Sequence, residues 1–151
     1  MKRSLAFAAL LALGCATLPI GLPYVPDCAG ALVDTTALPG GDFTLRERVR
    51  IEARDVDVAL EVVAERRGEQ LVLVGFDAFG ARAFSVVQTG VATETDAPMG
   101  RAFPIGPLNL LRDAHAAGRF APDAVERDAV RREGCEHTAN FVRVERRELA
   151  R

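Results

Sequence analysis

The chain has 151 residues, 49% hydrophobic and 26% charged, with 19 basic against 21 acidic side chains and a formal net charge of -2. That is the composition of one globular domain with a real core, and it is too short for two of ordinary size. Without a basic excess, nucleic acid is excluded as an expected partner.

Lys2 and Arg3 precede an apolar run, Leu5 to Gly14, whose 10 residues are about half of the ~20 that cross a bilayer as a helix. The pattern predicts a cleaved export signal over residues 1–14 and no transmembrane helix. It ends in Leu11-Ala12-Leu13-Gly14-Cys15, which resembles the permissive form of the lipobox cut by the lipoprotein signal peptidase. The expectation is lipidation of Cys15 as the mature N-terminus; the alternative is a soluble periplasmic protein cut after residue 15. Acylated Cys15 would tether the protein to membrane lipid through more than one chain, as stable anchoring requires, each buried methylene contributing about 0.8 kcal/mol. Ala16 stands where an Asp would favour inner-membrane retention in Gram-negative lipoproteins, so the expected location is the periplasmic face of the outer membrane. Since Lys2 and Arg3 leave with the signal, the mature part keeps 17 of the 19 basic residues, all Arg, against 21 acidic ones.

Pro19, Pro23 and Pro26 forbid a helix ahead of the domain. Residues 15–27 are therefore read as a lipidated, proline-rich tether, and residues 28–151 as a single domain. With Cys15 acylated, Cys28 and Cys135 remain, an even number in an oxidising compartment, and are expected to form one disulfide. Closing a loop of about 100 residues contributes up to roughly 4.7 kcal/mol in the chain-entropy model. A metal site on Cys135 and His137 lacks the usual four-ligand spacing, so neither metal nor cofactor is expected.

After the Gly40-Gly41 turn, Phe43, Leu45, Val49, Ile51 and Ala53 fall on odd positions and polar residues on even ones, with Glu47 interrupting the series. This is a strand with one wet face. The apolar set moves to even positions at Val56, Val58, Leu60 and Val62, which requires a turn or bulge near Arg54-Asp55 and a second strand. Arg66-Arg67-Gly68-Glu69 reads as a turn, Leu71 to Phe76 as an apolar strand, Asp77-Ala78-Phe79-Gly80 as a turn and Ala83 to Gln88 as a strand. A weak strand is expected through Val91 to Thr95. Pro107 to Ala117, stopped by Gly118, predicts a helix with Leu108, Leu111 and His115 on one face. Pro122 and Asp123 predict a second helix to Glu133, with a strand at Ala129 to Arg132 as the alternative. Ala139 to Glu145 predicts a closing strand and a frayed, charged tail.

The fold class expected is mainly β with α (α+β), an antiparallel meander with short helices. The strand Phe43 to Ala53, the segment Leu71-Val-Leu-Val-Gly-Phe-Asp-Ala-Phe-Gly80, the strand Ala83 to Gln88 and the helix near Leu108 resemble the LolA/LolB superfamily over residues 43–118. The sequence looks closest to a family of short bacterial lipoproteins of unknown function, some encoded beside lipid and aryl-polyene synthesis genes. The resemblance implies an incomplete antiparallel β-barrel with helices as a lid, holding acylated cargo in the periplasm. It also implies a role for Phe79: in LolB a hydrophobic residue protrudes from an inter-strand loop and helps insert cargo into the membrane. The alternative is that Phe79 folds back onto Phe76 or Phe84.

Catalytic signatures are missing. Ser85 is the one serine after the signal and sits mid-strand without a Gly-x-Ser-x-Gly elbow, and neither His115 nor His137 has a spaced partner. Asp55 and Asp57 read as solvated strand carboxylates, and Gly75 to Gly80 lacks the Lys of a phosphate loop. The expected function is reversible binding of an acyl chain or acylated protein without chemistry. Leu45, Val49, Ile51, Leu71, Leu73, Phe84 and Val86 are the candidate cavity lining; the alternative is that they pack on one another and on the helix. A second function class is an accessory envelope lipoprotein that binds a protein partner through a sheet edge or apolar patch.

Overall fold

The computed structural model describes residues 21–150. The expected signal, Cys15 and most of the tether lie outside these residues. Among the described residues, seven strands, β1 (Phe43–Ala53), β2 (Val56–Arg67), β3 (Gln70–Phe76), β4 (Arg82–Thr89), β5 (Ala92–Asp96), β6 (Arg127–Val130) and β7 (Thr138–Glu148), flank one α-helix, α1 (Pro107–Ala116). They form one antiparallel sheet in the order β5-β4-β3-β2-β1-β7-β6, which is not closed into a barrel.

Side-chain alternation gives the sheet two unlike faces. The inner face carries Phe43, Leu45, Val49 and Ile51 of β1, Leu60, Val62 and Ala64 of β2, Leu71 and Leu73 of β3, Phe84 and Val86 of β4, and Ala139 and Phe141 of β7, all buried. The change of parity between β1 and β2 is resolved by a two-residue turn at Arg54-Asp55, and Ala53 pairs with Val56 across it. Glu47, an apparent interruption, lies on the inner face and is buried. Arg66 also belongs to the strand: it is buried and donates to the Leu38 and Gly40 carbonyls, so the following turn shrinks to Gly68 and Glu69.

Helix α1 covers the inner face with Leu110, Leu111, Ala114 and His115, while Leu108 is only half-buried. Pro107 occupies the first turn, where a missing N–H costs nothing. Gly118, at φ +61°, turns the chain out of the helix. His115 keys α1 to β4: its Nε2 lies 2.7 Å from Oε1 of buried Gln88, whose amide nitrogen already donates to the Val33 and Gly90 carbonyls. That occupancy makes Oε1 the acceptor and His115 Nε2 the protonated nitrogen. Burial pushes the His115 pKa down to about 4.

A second polar cluster fastens the chain ahead of the sheet. Asn109 donates to the Pro26 carbonyl at 2.7 Å and accepts from the Cys28 N–H at 2.9 Å. Asp113, fully buried, accepts from Arg132 Nε at 2.5 Å and His137 Nε2 at 2.7 Å, and Arg132 also donates to the Ala29 carbonyl at 2.7 Å. Cys28 and Cys135 are disulfide-bonded, as the cysteine count predicts, with Cα atoms 5.8 Å apart. The folded part reaches further back than Cys28, because Val25 is buried and pairs with Ile105.

Two expectations are corrected. No second helix forms over 122–133: turns occupy 121–123 and a strand forms instead, β6 at Arg127–Val130 pairing with β7, two residues ahead of the Ala129 to Arg132 alternative. Arg119 explains the difference, since its guanidinium takes the Val125 carbonyl that a helix would use internally. The closing strand also runs to Glu148, paired with Phe43 at its far end, so the charged tail is part of the sheet.

Removing the disulfide by Cys135→Ser should cost about 2–5 kcal/mol in denaturant unfolding. Alkylation of denatured, unreduced protein should leave both Cys28 and Cys135 unlabelled, and two labelled thiols at these positions would contradict the bond. His115 generates a pH dependence: below its unfolded pKa of 6.5 the unfolded chain takes up a proton that the buried ring refuses. Stability is therefore complete above that value and lost as pH falls towards 4. Between pH 7 and 5 the loss from this group is about 2 kcal/mol. The drop in Tm over that interval should be smaller in His115→Gln; an equal drop would show that the ring does not titrate this way.

Candidate functional site

The seven residues expected to line a cavity do converge on one face. Leu45, Val49, Ile51, Leu71, Leu73, Phe84 and Val86 are each no more than 2% exposed, and α1, Phe103, Ile105 and Phe120 pack with them in one core. The hollow left between sheet and helix is about 10 Å³, bordered by Leu45, Val62, Leu73, Leu110, Phe120 and Phe141. That is room for about one water. An acyl chain enters here only if α1 moves.

Glu47 borders the same hollow. Its Oε1 takes hydrogen bonds from Nε and Nη2 of Arg119, whose side chain is fully buried and lies over the Phe141 ring. Burial raises the Glu47 pKa, and the hydrogen bonds and charge of Arg119, with the charge of Arg143, oppose that rise. The pair is a polar fastening inside the core. His137 and Asp113 form a His–carboxylate pair, but Ser85 projects from β4 on the opposite face of the sheet, hydrogen-bonded by Arg82. Ser85 therefore does not meet the imidazole. Among the described residues no group of three His, Cys, Asp or Glu is placed to hold a metal ion. Asp57 is exposed and hydrogen-bonded by Arg50 Nε at 2.8 Å and Nη2 at 2.6 Å, contacts that hold its carboxyl below the usual range.

The open space lies on the outer face. A groove of about 980 Å³ runs across β7, β1 and β2 to the β3–β4 turn, lined by Val63, Phe76, Ala59, Ala78 and Val142 and by the stems of Arg46, Arg48 and Arg50. Its shape follows from the register. The last β2–β3 pair is Glu61 with Phe76, so the β1–β2 hairpin continues five residues beyond it to Val56, leaving a step that the turn overhangs. The sequence signal for this site is the unbroken apolar run Leu71 to Phe76, because a strand with one wet face would alternate and this one is half-buried outside as well.

The turn itself is rigidly built. Asp77 Oδ1 accepts from the N–H groups of Phe79 and Ala81, both at 2.9 Å, and Gly80 sits at φ +78°, where a side chain is strained. Phe79 is 96% exposed, so it does not fold back onto Phe76 or Phe84. The chain entry is at the same end of the sheet. Thr138 pairs with Glu52 beside the β1–β2 turn, and Cys135, three residues earlier, holds Cys28 there.

No helix among the described residues is long and apolar enough to cross a membrane. A comparison with curated proteins gives no match. The model of one family, a protein of unknown function designated DUF3261, matches residues 44–148. That span takes in β1 from Thr44 onward, β2 to β7, α1, the groove and the Phe79 turn, and it leaves out Cys28. On a match covering more than two thirds of its length, the chain belongs to the DUF3261 family.

Proposed function

We propose that this protein is a lipid-anchored envelope lipoprotein that takes up an acyl chain, or the acylated end of another protein, and passes it on without making or breaking a bond. The observation that carries this reading is the open, largely apolar groove that ends at the β3–β4 turn, the turn that also carries the exposed Phe79. Leaving an aromatic side chain in water forgoes roughly 1.5–3 kcal/mol of burial, which is recovered when a bilayer or an acyl chain covers it. The turn holding Phe79 is fixed by Asp77, so the ring is presented on a stiff support. Cys28 is held at the same end by its bond to Cys135, so an anchor at Cys15 would bring the groove mouth and Phe79 towards the membrane surface. That membrane is the outer membrane by the Ala16 reading. An open antiparallel sheet covered by a helix is compatible with the LolA/LolB-like architecture and with transfer by reversible apolar contact.

The accessory reading draws on the same exposed patch, with a protein partner in place of lipid. Sheet-edge pairing is the weaker form of it, because β5 presents Thr93, Glu94, Thr95 and Asp96 and β6 is only four residues long.

Gently purified protein should carry acyl lipid detectable by mass spectrometry, whereas an accessory subunit would come out empty and with a protein bound. Cys15→Ala should release the protein from the membrane fraction; sedimentation with membranes after a high-salt wash would remove the anchor from the proposal. Phe79→Glu should change stability by no more than about 0.5 kcal/mol, as expected for an exposed site, and abolish transfer of a fluorescent acyl cargo to vesicles. Undiminished transfer would take Phe79 out of the mechanism.

A further inference from the structure

The charges in the groove wall specify its occupant more narrowly. Arg46, Arg48 and Arg50 alternate along the outer face of β1, and the acids of the lining are Glu52, Glu61 and Asp77. Five of these six groups are already engaged within the protein. Arg50 is held by Asp57 at 2.6 Å and approaches Glu52 at 3.6 Å, and Glu52 also accepts from Asn140 at 2.9 Å. Arg46 approaches Glu61 at 3.8 Å, and Asp77 is taken up by the backbone of its turn.

Arg48 is the exception. It is exposed, lies mid-groove, and meets no carboxylate among the described residues, although Glu61 stands opposite it in register. Its row across the sheet is Val142, Arg48, Glu61 and Phe76, so the free guanidinium sits beside apolar floor. The stretch of β1 from Arg46 to Glu52 is about 20 Å long at the usual strand rise, a length that suits an extended acyl chain.

We propose that the groove selects acyl lipids with an anionic phosphate head group, and that Arg48 is the head-group contact. The proposal rests on the acyl-binding reading above and adds the chemistry of the ligand's polar end. A guanidinium meets a phosphate through two parallel N–H donors, a stronger and more directional contact than a neutral head group offers.

The test uses the full-length protein in a non-ionic detergent, with native mass spectrometry of competition among three lipids carrying the same acyl chain. These are lysophosphatidylglycerol, lysophosphatidylcholine and uncharged monoacylglycerol, and glycerol phosphate without a chain is the fourth arm. Wild-type protein should prefer lysophosphatidylglycerol over monoacylglycerol by about tenfold and should not retain glycerol phosphate. Arg48→Gln should abolish the preference, leaving monoacylglycerol binding and Tm unchanged, and Glu61→Gln should strengthen it. Equal binding of the charged and uncharged lipids, or a preference that survives Arg48→Gln, overturns the head-group assignment alone. Retention of glycerol phosphate as strongly as of the lipid would make this a phosphate site and overturn the proposal. If none of the three lipids binds, the acyl-binding reading falls and the inference with it.

Discussion

A carboxylate inside a hydrophobic core has to be answered there, and the contact between Glu47 and Arg119 does so at the centre of this fold. Both side chains are buried, at 3% and 0% exposure, and the guanidinium also reaches the Val125 carbonyl and the Phe141 ring. Truncating either partner would strand a buried charge, which typically costs 3–5 kcal/mol. The pair therefore holds the chain after α1 against β1 and sets the path of residues 119–126. Arg143 and Arg146 extend the same ladder, donating to the carbonyls of Ala121 and Phe120. A segment whose carbonyls are consumed in this way has no freedom to wind into a helix.

The two faces of the sheet divide the work. On the inner face, aliphatic and aromatic side chains close on α1 and leave no more than a water-sized hollow, which is the density expected of a stable core. On the outer face β3 is apolar as well and β1 carries Arg46, Arg48 and Arg50, and nothing within the described residues covers the floor where β3 stops short of the β1–β2 hairpin. Stability and the candidate binding surface are thus separated by one layer of backbone. Substitutions in the groove are free to change affinity without disturbing the packing beneath it.

Much of this architecture was legible in the chain. Alternation located β1 and β2, the parity change at Arg54-Asp55 marked their turn, Gly118 marked the end of α1, and the cysteine count paired Cys28 with Cys135. What was not legible depended on long-range partners. Glu47 looks like an interruption until Arg119, 72 residues away, is placed beside it. Residues 122–133 carry a helix-start signal that loses to pairing with β7 and to the carbonyls taken by Arg119 and Arg143. The clearer periodicity points to the inner face as a cavity, and that is the face that packs best. The groove instead arises from strand lengths and register, quantities that a single sequence encodes only weakly. The sequence places Phe79 in a turn, but its exposure depends on how Asp77 folds that turn.

The disulfide has a mechanical consequence. Any pull on the chain ahead of Cys28 is delivered covalently to Cys135 and from there to β7, which lies between β1 and β6 in the sheet. Force arriving by that route acts along β7, whose ladder of hydrogen bonds with β1 runs from Thr138 to Glu148 and would have to shear together. Without the bond, the same force would peel residues 21–42 away one contact at a time before β1 felt it. The cross-link thus turns an unzipping geometry into a shearing one, and the domain resists traction from its N-terminal side with the strength of the whole β1–β7 pairing.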